Sequence, residues 1–442
     1  MPGAAPAPQR PTRRRLFVLA LITLATMLNY VDRSVMGVAQ PSVVRELAIG
    51  PETMGLIFSA FSWTYALAQV PGGLLLDRLG VRVTYTLSLA LWSAATFVHG
   101  LMASVAGLFS ARLALGLAEA PCFPANSRVL STWFPQTERA RANGVYAVGQ
   151  YVGVGFLLPV LTYIAATHGW RALFFLFGGL GLAFAVVWHA LYREPHEDRR
   201  ANVAELEVIA AGGGLARGGA TPVPASWRNI RALLSRRQIL GASIGQFCGN
   251  STLVFFLTWF PSYLATERGM DWIKSGFAAS IPYVAASVGV LVGGWLSDGL
   301  IRRTGSATLG RKLPIITGLL LTSTMVLANA VDDDAAVIAI LSVAFFGQGM
   351  VNLGWTLLAD VAPRQMVGLA GGVFNLCANL AGIVTPVVIG VIVGATGSFH
   401  GALAYIGVLG LVGAAAYVFV VGKVERIELE DVAGGSARAE GE

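Results

Sequence analysis

Asp32, Arg33, Arg112 and Glu119 are the residues of this sequence best placed for chemistry, because each stands inside a long apolar stretch. An ionisable group at membrane depth is costly and ordinarily faces a partner or a water-filled path. Arg33 suits capture of a carboxylate, since a guanidinium stays charged and offers two parallel N–H donors. Asp32 and Glu119 suit reversible protonation: burial disfavours a charged carboxylate, and a neighbouring guanidinium favours it. Arg112 and Glu119 are seven residues apart, so on a helix they share one face, two turns apart, without being forced into a direct pair. The bland alternative is a quartet that only locks two helices together.

Other groups carry less. Cys122, Cys248 and Cys377 lie in apolar stretches without metal-ligand spacing and read as small hydrophobes. The five His form no ligand-spaced pair, and Asp332-Asp333-Asp334 lacks the alternation of a calcium loop and reads as a solvated turn. No cofactor or metal is expected, and no nucleophile–base constellation marks an enzyme. Asp77, Arg78, Asp298 and Asp360 fall at helix ends, where paired charges would act as conformational latches.

The elements that must hold these residues are helices in a membrane. The chain has 442 residues, 55% hydrophobic and only 12% charged, with a mean hydropathy of +0.66. A soluble domain carries about 25% charged residues, so an ordinary soluble enzyme and a disordered chain are both excluded. A net charge of +7 is scattered along loops and does not signal nucleic acid. Twelve apolar stretches are long enough to cross about 30 Å of hydrocarbon: 16–40, 52–76, 83–103, 105–134, 140–166, 171–192, 238–265, 274–300, 313–331, 335–361, 367–396 and 400–422. The expected organisation is therefore an all-α membrane protein of two six-helix bundles, 16–192 and 238–422. A tail (1–15), a connector (193–237) with a short amphipathic helix at Val203–Ala211, and a second tail (423–442) complete it. Arg13, Arg14 and Arg15 precede a full-length span with no small-residue cleavage site, so no cleaved leader is expected. Of the 31 Lys and Arg, only Arg45, Arg171, Arg268 and Lys274 fall in loops opposite the termini. The positive-inside rule then puts both termini and the connector in the cytoplasm of a cell-membrane protein.

The two halves repeat. Gly73-Leu-Leu-Leu-Asp77-Arg78-Leu-Gly80-Val-Arg82 has its partner in Gly294-Trp-Leu-Ser-Asp298 with Arg302-Arg303, at an offset of 221. Trp133-Phe-Pro135-Gln-Thr-Glu138-Arg139 with Gly144 matches Asp360-Val-Ala-Pro363-Arg364 with Gly372, at an offset of 228. Duplicated halves are characteristic of carriers that rock about a central site. The repeated Gly-x-x-x-Asp-Arg-x-Gly-x-Arg loop resembles the signature of the major facilitator superfamily. Asn29-Tyr-Val-Asp-Arg-Ser34, Phe58-Ser-Ala-Phe-Ser-Trp-Thr-Tyr65, Gln69-Val-Pro-Gly-Gly73, Glu119-Ala-Pro-Cys-Phe-Pro124 and Phe256-Leu-Thr-Trp-Phe-Pro261 resemble its anion:cation symporters. The likeness runs from about residue 13 to 426 and is greatest to carriers of sugar acids such as galactonate and glucarate.

That resemblance implies a monomeric, proton-coupled symporter that imports a sugar-acid anion by alternating access and needs neither nucleic acid nor cofactor. It assigns the anion to Arg33, the protons to Asp32 and Glu119, and the balancing charge to Arg112. Sugar hydroxyls would be met by Tyr30, Tyr65, Gln150, Gln246, Asn352, Trp355 and Asn375, each of which could instead bond across helices for about 1 kcal/mol. Asn352 departs from the galactonate-type pattern, where a smaller hydroxyl residue stands; that difference suits a diacid. The absence of a P-loop agrees with an energy source in a gradient, and the missing glycine-proline pattern in Gly149-Gln-Tyr-Val-Gly153-Val-Gly155 favours symport. The rival readings are a carrier of tartrate, phthalate or another aromatic or dicarboxylic acid, and a non-transporting membrane sensor. The sensor would need a signalling domain, yet only about 20 residues follow the last span.

Overall fold

The computed structural model describes residues 10–214, 227–363 and 366–428. The ends of both tails, the middle of the connector and Arg364 lie outside the described residues. The apolar runs form α1 (Arg14–Leu47), α2 (Pro51–His99), α3 (Val105–Glu119), α4 (Cys122–Trp133), α5 (Gln136–His168) and α6 (Trp170–Leu191) in the first half. The connector contributes α7 (Val203–Ala211) and α8 (Trp227–Leu234). The second half holds α9 (Arg237–Thr258), the short α10 (Phe260–Ser262), α11 (Trp272–Thr304), α12 (Ala307–Ser323), α13 (Asp334–Val351), α14 (Gly354–Val361), α15 (Val367–Thr396) and α16 (His400–Ala415).

Among the described residues, eleven helical segments are long and apolar enough to cross a membrane. The twelfth expected span, 52–76, is the first arm of α2, which runs on through Gly80 into the span expected at 83–103. Gly80 has φ 74 and ψ 171, a conformation open in practice only to glycine. The Thr84 hydroxyl donates to the Leu75 carbonyl at 3.3 Å. Nine residues of straight helix would separate those groups by about 13 Å, so the chain folds back at Gly80 and α2 is a hairpin of two crossings.

Apolar packing divides the molecule unevenly. One core spans both halves at the end far from the termini, joining Val35, Phe58 and Tyr151 to Phe256, Trp259 and Phe345. Phe58 meets Trp259 edge-on at 5.4 Å, and Tyr151 meets Phe345 at 5.6 Å. The helices touch backbone to backbone there: an added Cβ at Gly55 would lie 2.5 Å from the Pro386 oxygen, and one at Gly390 would lie 2.6 Å from that of Pro51. Towards the termini each half has a core of its own, around Tyr85, Trp133 and Trp188 in the first and Leu319, Phe374 and Tyr417 in the second. The halves are thus fused at the far end and separate at the terminal end.

The acidic turn at 332–334 is solvated at Asp332 and Asp333, which are exposed, and it is also ordered: Asp333 caps α13 by accepting from the Ala336 N–H at 2.8 Å, and Asp334 pairs with Arg268 at 3.0 Å. The amphipathic helix expected at Val203–Ala211 forms with those bounds, capped by Asn202, whose side chain accepts from the Glu205 N–H at 3.0 Å. It is clasped to the first half. The buried Glu205 carboxylate accepts from the Thr12 hydroxyl, from the backbone N–H groups of Arg14 (2.7 Å) and Arg15 (3.0 Å), and from the Arg15 guanidinium (3.2 Å). Arg14 pairs with Asp198 at 2.7 Å, and Arg15 also reaches Glu138 of α5 at 2.8 Å.

Burial opposes ionisation of Glu205, but these hydrogen bonds outweigh it and hold the carboxyl below its ordinary value. The clasp is therefore at full strength above the unfolded glutamate value of about 4.3 and is lost as pH falls through the lower folded value. Glu205→Ala should leave several donors unpaired, at about 1–3 kcal/mol. Trypsin should then cut at Arg13–Arg15 and in the connector faster than in the parent at pH 7, and thermal unfolding in detergent should show variant and parent converging as pH falls below about 4.

Candidate functional site

The four membrane-depth charges come together in the first half. α1 carries Asp32 and Arg33, and α3 carries Arg112 and Glu119. The Thr64 hydroxyl of α2 donates to the Leu113 carbonyl at 2.6 Å, which seats α3 against α2 between those two charges. Glu119 is the last residue of α3; Pro121 follows, and the helix restarts as α4 at Cys122. A proline lacks the N–H that would continue the ladder, so the carboxyl stands at a built-in break.

Arg33 Nε donates to Glu119 Oε2 at 3.0 Å, with the Glu119 side chain fully buried and that of Arg33 14% exposed. The guanidinium carbon lies 5.0 Å from the Tyr30 ring centroid, 4.7 Å from Phe61, 4.8 Å from Tyr65 and 5.9 Å from Phe123. A weakly hydrated, planar cation suits such an aromatic enclosure. Arg112 lies 5.8 Å from the Phe61 ring centroid and makes no ion pair among the described residues. Each of the four charges keeps a buried atom without a hydrogen-bond partner: Asp32 Oδ2, Arg33 Nη2, Arg112 Nε and Glu119 Oε1. Unpaired polar atoms at this depth are expensive. The arrangement is suited to partners that come and go, a proton on a carboxyl or an anion on a guanidinium.

The remaining expected residues divide between the halves. Tyr30 and Tyr65 join the Arg33 enclosure, Tyr65 stacking on Phe61 at 5.2 Å. Gln150 is buried on α5. In the second half, α9, α14 and α15 gather Gln246, Trp355 and Asn375. A Cβ on Gly354 would lie 2.8 Å from Gln246 Oε1, Trp355 packs edge-on against Phe374 at 4.9 Å, and Asn375 accepts from Asn379 at 3.1 Å. Asn352 is half-buried in the turn before α14. All charge is in the first cluster, while the second offers neutral amides and an indole.

The helix-end charges pair within each half. Asp77 meets Arg128 at 2.9 Å, and Arg311 holds Asp298 at 3.3 Å and Asp360 at 2.8 Å, while Arg78 is exposed. Sequence reasoning missed Phe61 and Phe123, although Phe61 lies one turn from Tyr65 and Phe123 stands within the Glu119–Pro124 run. It also missed Arg128 and Arg311 as partners, and His99, which is almost wholly buried.

Two bundles of membrane-length helices, repeated in sequence and enclosing a charged cluster, define a multi-pass membrane protein. Residues 22–352 match the Major Facilitator Superfamily, and the chain belongs to that family. It is 41% identical to a protein of Escherichia coli (strain K12) named Probable galactarate/D-glucarate transporter GudP, over 98% of both chains. It is 40% identical to the D-galactonate transporter of Escherichia coli O6:H1, over 95% of this chain and 98% of that one. The crystal structure of a bacterial homolog of the human lysosomal transporter Spinster, inward-facing and occupied, has the same fold, with a TM-score of 0.67 at 18% identity over 99% of this chain and 98% of that one.

The Arg33–Glu119 contact makes a measurable prediction. Arg33→Met leaves a buried carboxylate without its cation, which costs about 3–5 kcal/mol for such a pair, whereas removing both charges costs far less. Thermal unfolding in detergent should show Arg33→Met well below the parent and Arg33→Met with Glu119→Gln largely restored. Additive losses would mean that the two side chains do not act on one another.

Proposed function

We propose that this protein is a proton-coupled symporter that imports a sugar-acid anion, a hexonate or hexarate of the galactonate or glucarate type, by alternating access. It works as a monomer in the cell membrane, with both termini in the cytoplasm. The observation that carries the reading is the buried Arg33–Glu119 pair with a donor still free on Arg33 Nη2. The names of the relatives supply the substrate class.

The geometry suggests how binding and protonation are linked. A substrate carboxylate that takes Arg33 with two parallel hydrogen bonds must compete with Glu119 for the same guanidinium. Glu119, losing its cation in a buried site, then favours a proton. Binding of anion and proton therefore assist each other, and the assistance is reciprocal. Asp32 is a second carboxyl able to titrate, and Arg112 balances the pair. Tyr30, Tyr65 and Gln150 on one side, with Gln246, Asn352, Trp355 and Asn375 on the other, would hold the hydroxyls. Asp77, Arg78, Asp298 and Asp360 act as latches that order the helix ends of each half, at about 0–1 kcal/mol for each exposed pair. The fused far end and separate terminal end fit a carrier open towards the termini. Transport of another organic anion remains the alternative, and the neutral second cluster favours polyols over aromatic acids.

Arg33→Lys should lose most affinity for galactonate or glucarate in detergent although the charge is kept, because an ammonium reproduces neither the two parallel bonds nor the ring stacking. Affinity equal to the parent would remove Arg33 from the binding site. In proteoliposomes, an acid-outside gradient should drive accumulation that a protonophore abolishes. Glu119→Gln, a fixed mimic of the protonated acid, should keep counterflow of labelled against unlabelled substrate while losing uphill uptake. Accumulation indifferent to the protonophore would overturn proton coupling.

A further inference from the structure

We infer that the cleft between the start of α1, the end of α6 and the turn that follows α6 binds the phosphodiester headgroup of an anionic phospholipid, taken from the leaflet on the side of the termini. Nothing in this assignment depends on which solute is carried.

The cleft encloses about 220 Å³ and is lined by Arg14, Arg193, Arg199 and Arg200 against Glu197 and Asp198. Arg14 is its buried member, with a side chain only 9% exposed. Its Nε donates to Asp198 Oδ2 at 2.7 Å and its Nη2 to the Leu191 carbonyl at 3.0 Å. The Asp198 carboxylate is thus occupied, and it also accepts from the Arg200 backbone N–H at 3.0 Å. Glu197 is exposed. Arg193 Nη1 donates to the His189 and Tyr192 carbonyls at 2.9 and 2.7 Å. Arg82, from the second arm of α2, sends Nε and Nη2 to the same His189 oxygen at 3.0 and 2.8 Å. Two guanidinium groups therefore share one carbonyl oxygen at the C-terminal end of α6. That end carries only about half a negative charge, so repulsion between the two cations is left for an anion to relieve. Arg199 is exposed and makes no ion pair among the described residues.

Other cations on this side of the molecule are met by carboxylates. Arg15 is held by Glu138 and Glu205, Arg128 by Asp77, and Arg311 by Asp298 and Asp360. A positive-inside bias explains arginines near a membrane, but not arginines gathered around a cleft and anchored on main-chain oxygens. A phosphodiester suits them because guanidinium groups grip it with paired hydrogen bonds, and a basic cleft between helices at the membrane boundary is a general form of lipid headgroup site. Where the cleft opens favours a lipid over a free phosphate. Ala190 lines it and ends an exposed apolar stripe on α6 that runs through Ala183, Val186 and Val187, while Ala185 and Trp188 on the opposite face are buried. Phe17 of α1 is exposed, and the Arg14 guanidinium carbon lies 3.9 Å from its ring centroid. An acyl chain can lie along these apolar side chains while its headgroup enters the cleft.

The test is thermal unfolding of the full chain in detergent, titrated with dioleoyl phosphatidylglycerol, with dioleoyl phosphatidylcholine or with inorganic phosphate. A ligand that binds only the folded state raises the midpoint. Phosphatidylglycerol should stabilise the parent and phosphatidylcholine should not; equal stabilisation by the two would overturn an anion site. Inorganic phosphate, which has no acyl chain, should need a concentration at least about tenfold higher than the lipid, and equal potency would overturn the lipid in favour of a free anion. Arg193→Gln with Arg199→Gln should raise the phosphatidylglycerol concentration for half the effect at least about tenfold. Arg302→Gln with Arg303→Gln removes as many exposed charges from the end of α11 and should leave that concentration within about a factor of three of the parent. Ala190→Trp fills the cleft without altering any charge and should raise it at least about tenfold as well. It decides the matter alone should the arginine variant fail to fold. A parent-like response in either cleft variant, or an equal loss in the α11 control, would overturn the site.

Discussion

A guanidinium and a carboxylate held 3.0 Å apart at membrane depth are the constraint to which much of the first half answers. Neither charge tolerates hydrocarbon alone, so the helices that carry them must stay in register although Arg33 and Glu119 are 86 positions apart in the chain. The Thr64–Leu113 hydrogen bond and the four rings around Arg33 serve that register. The break after Glu119 serves it too, since it places the carboxyl at a helix end, where local adjustment is easiest.

The same constraint explains why the two halves differ in chemistry while repeating in sequence. The duplicated loops keep an aspartate at matching helix ends, Asp77 and Asp298, although their partners Arg128 and Arg311 stand on helices that do not correspond. Yet membrane-depth charge was concentrated in one copy, and amides were gathered in the other. A site assembled from one charged and one neutral wall can orient an asymmetric anion, with its carboxylate towards α1 and its hydroxyls towards α9, α14 and α15. Carrying charge on one side only also means that the far-end core can be almost purely apolar, so it can part without breaking ion pairs.

Much of this was legible in the sequence, and the reasons for the rest are physical. The charges were visible because hydrocarbon makes them anomalous, and Val203–Ala211 was visible because its apolar periodicity is local. The repeat marked the ends of the helices, and Gly80 marked a turn inside what became one continuous run. What the sequence did not reveal depends on distance along the chain. Nothing local announces that Arg33 pairs with Glu119 more directly than Arg112 does. Phe61 and Phe123 read as ordinary membrane hydrophobes until Arg33 is placed between them. α8 was missed because its eight residues follow a Gly- and Pro-rich stretch, and the Glu205 clasp because its donors come from residues nearly two hundred positions away. His99 reads in the sequence as one of five scattered histidines; only the Ala95 contact fixes its tautomer.

The glycine seam between α2 and α15 has a consequence for how this protein would respond to change. Backbones in contact at Gly55 and Gly390 leave no slack, so a single methyl group acts as a wedge whose thickness is fixed by bond lengths rather than by side-chain flexibility. Such a wedge is graded by depth: near the far surface it pries the halves apart with a long lever arm, and nearer the charged cluster with a short one. A series of alanines walked along this seam would therefore work as a mechanical dial on the resting equilibrium of the molecule, set without touching any residue that meets a solute.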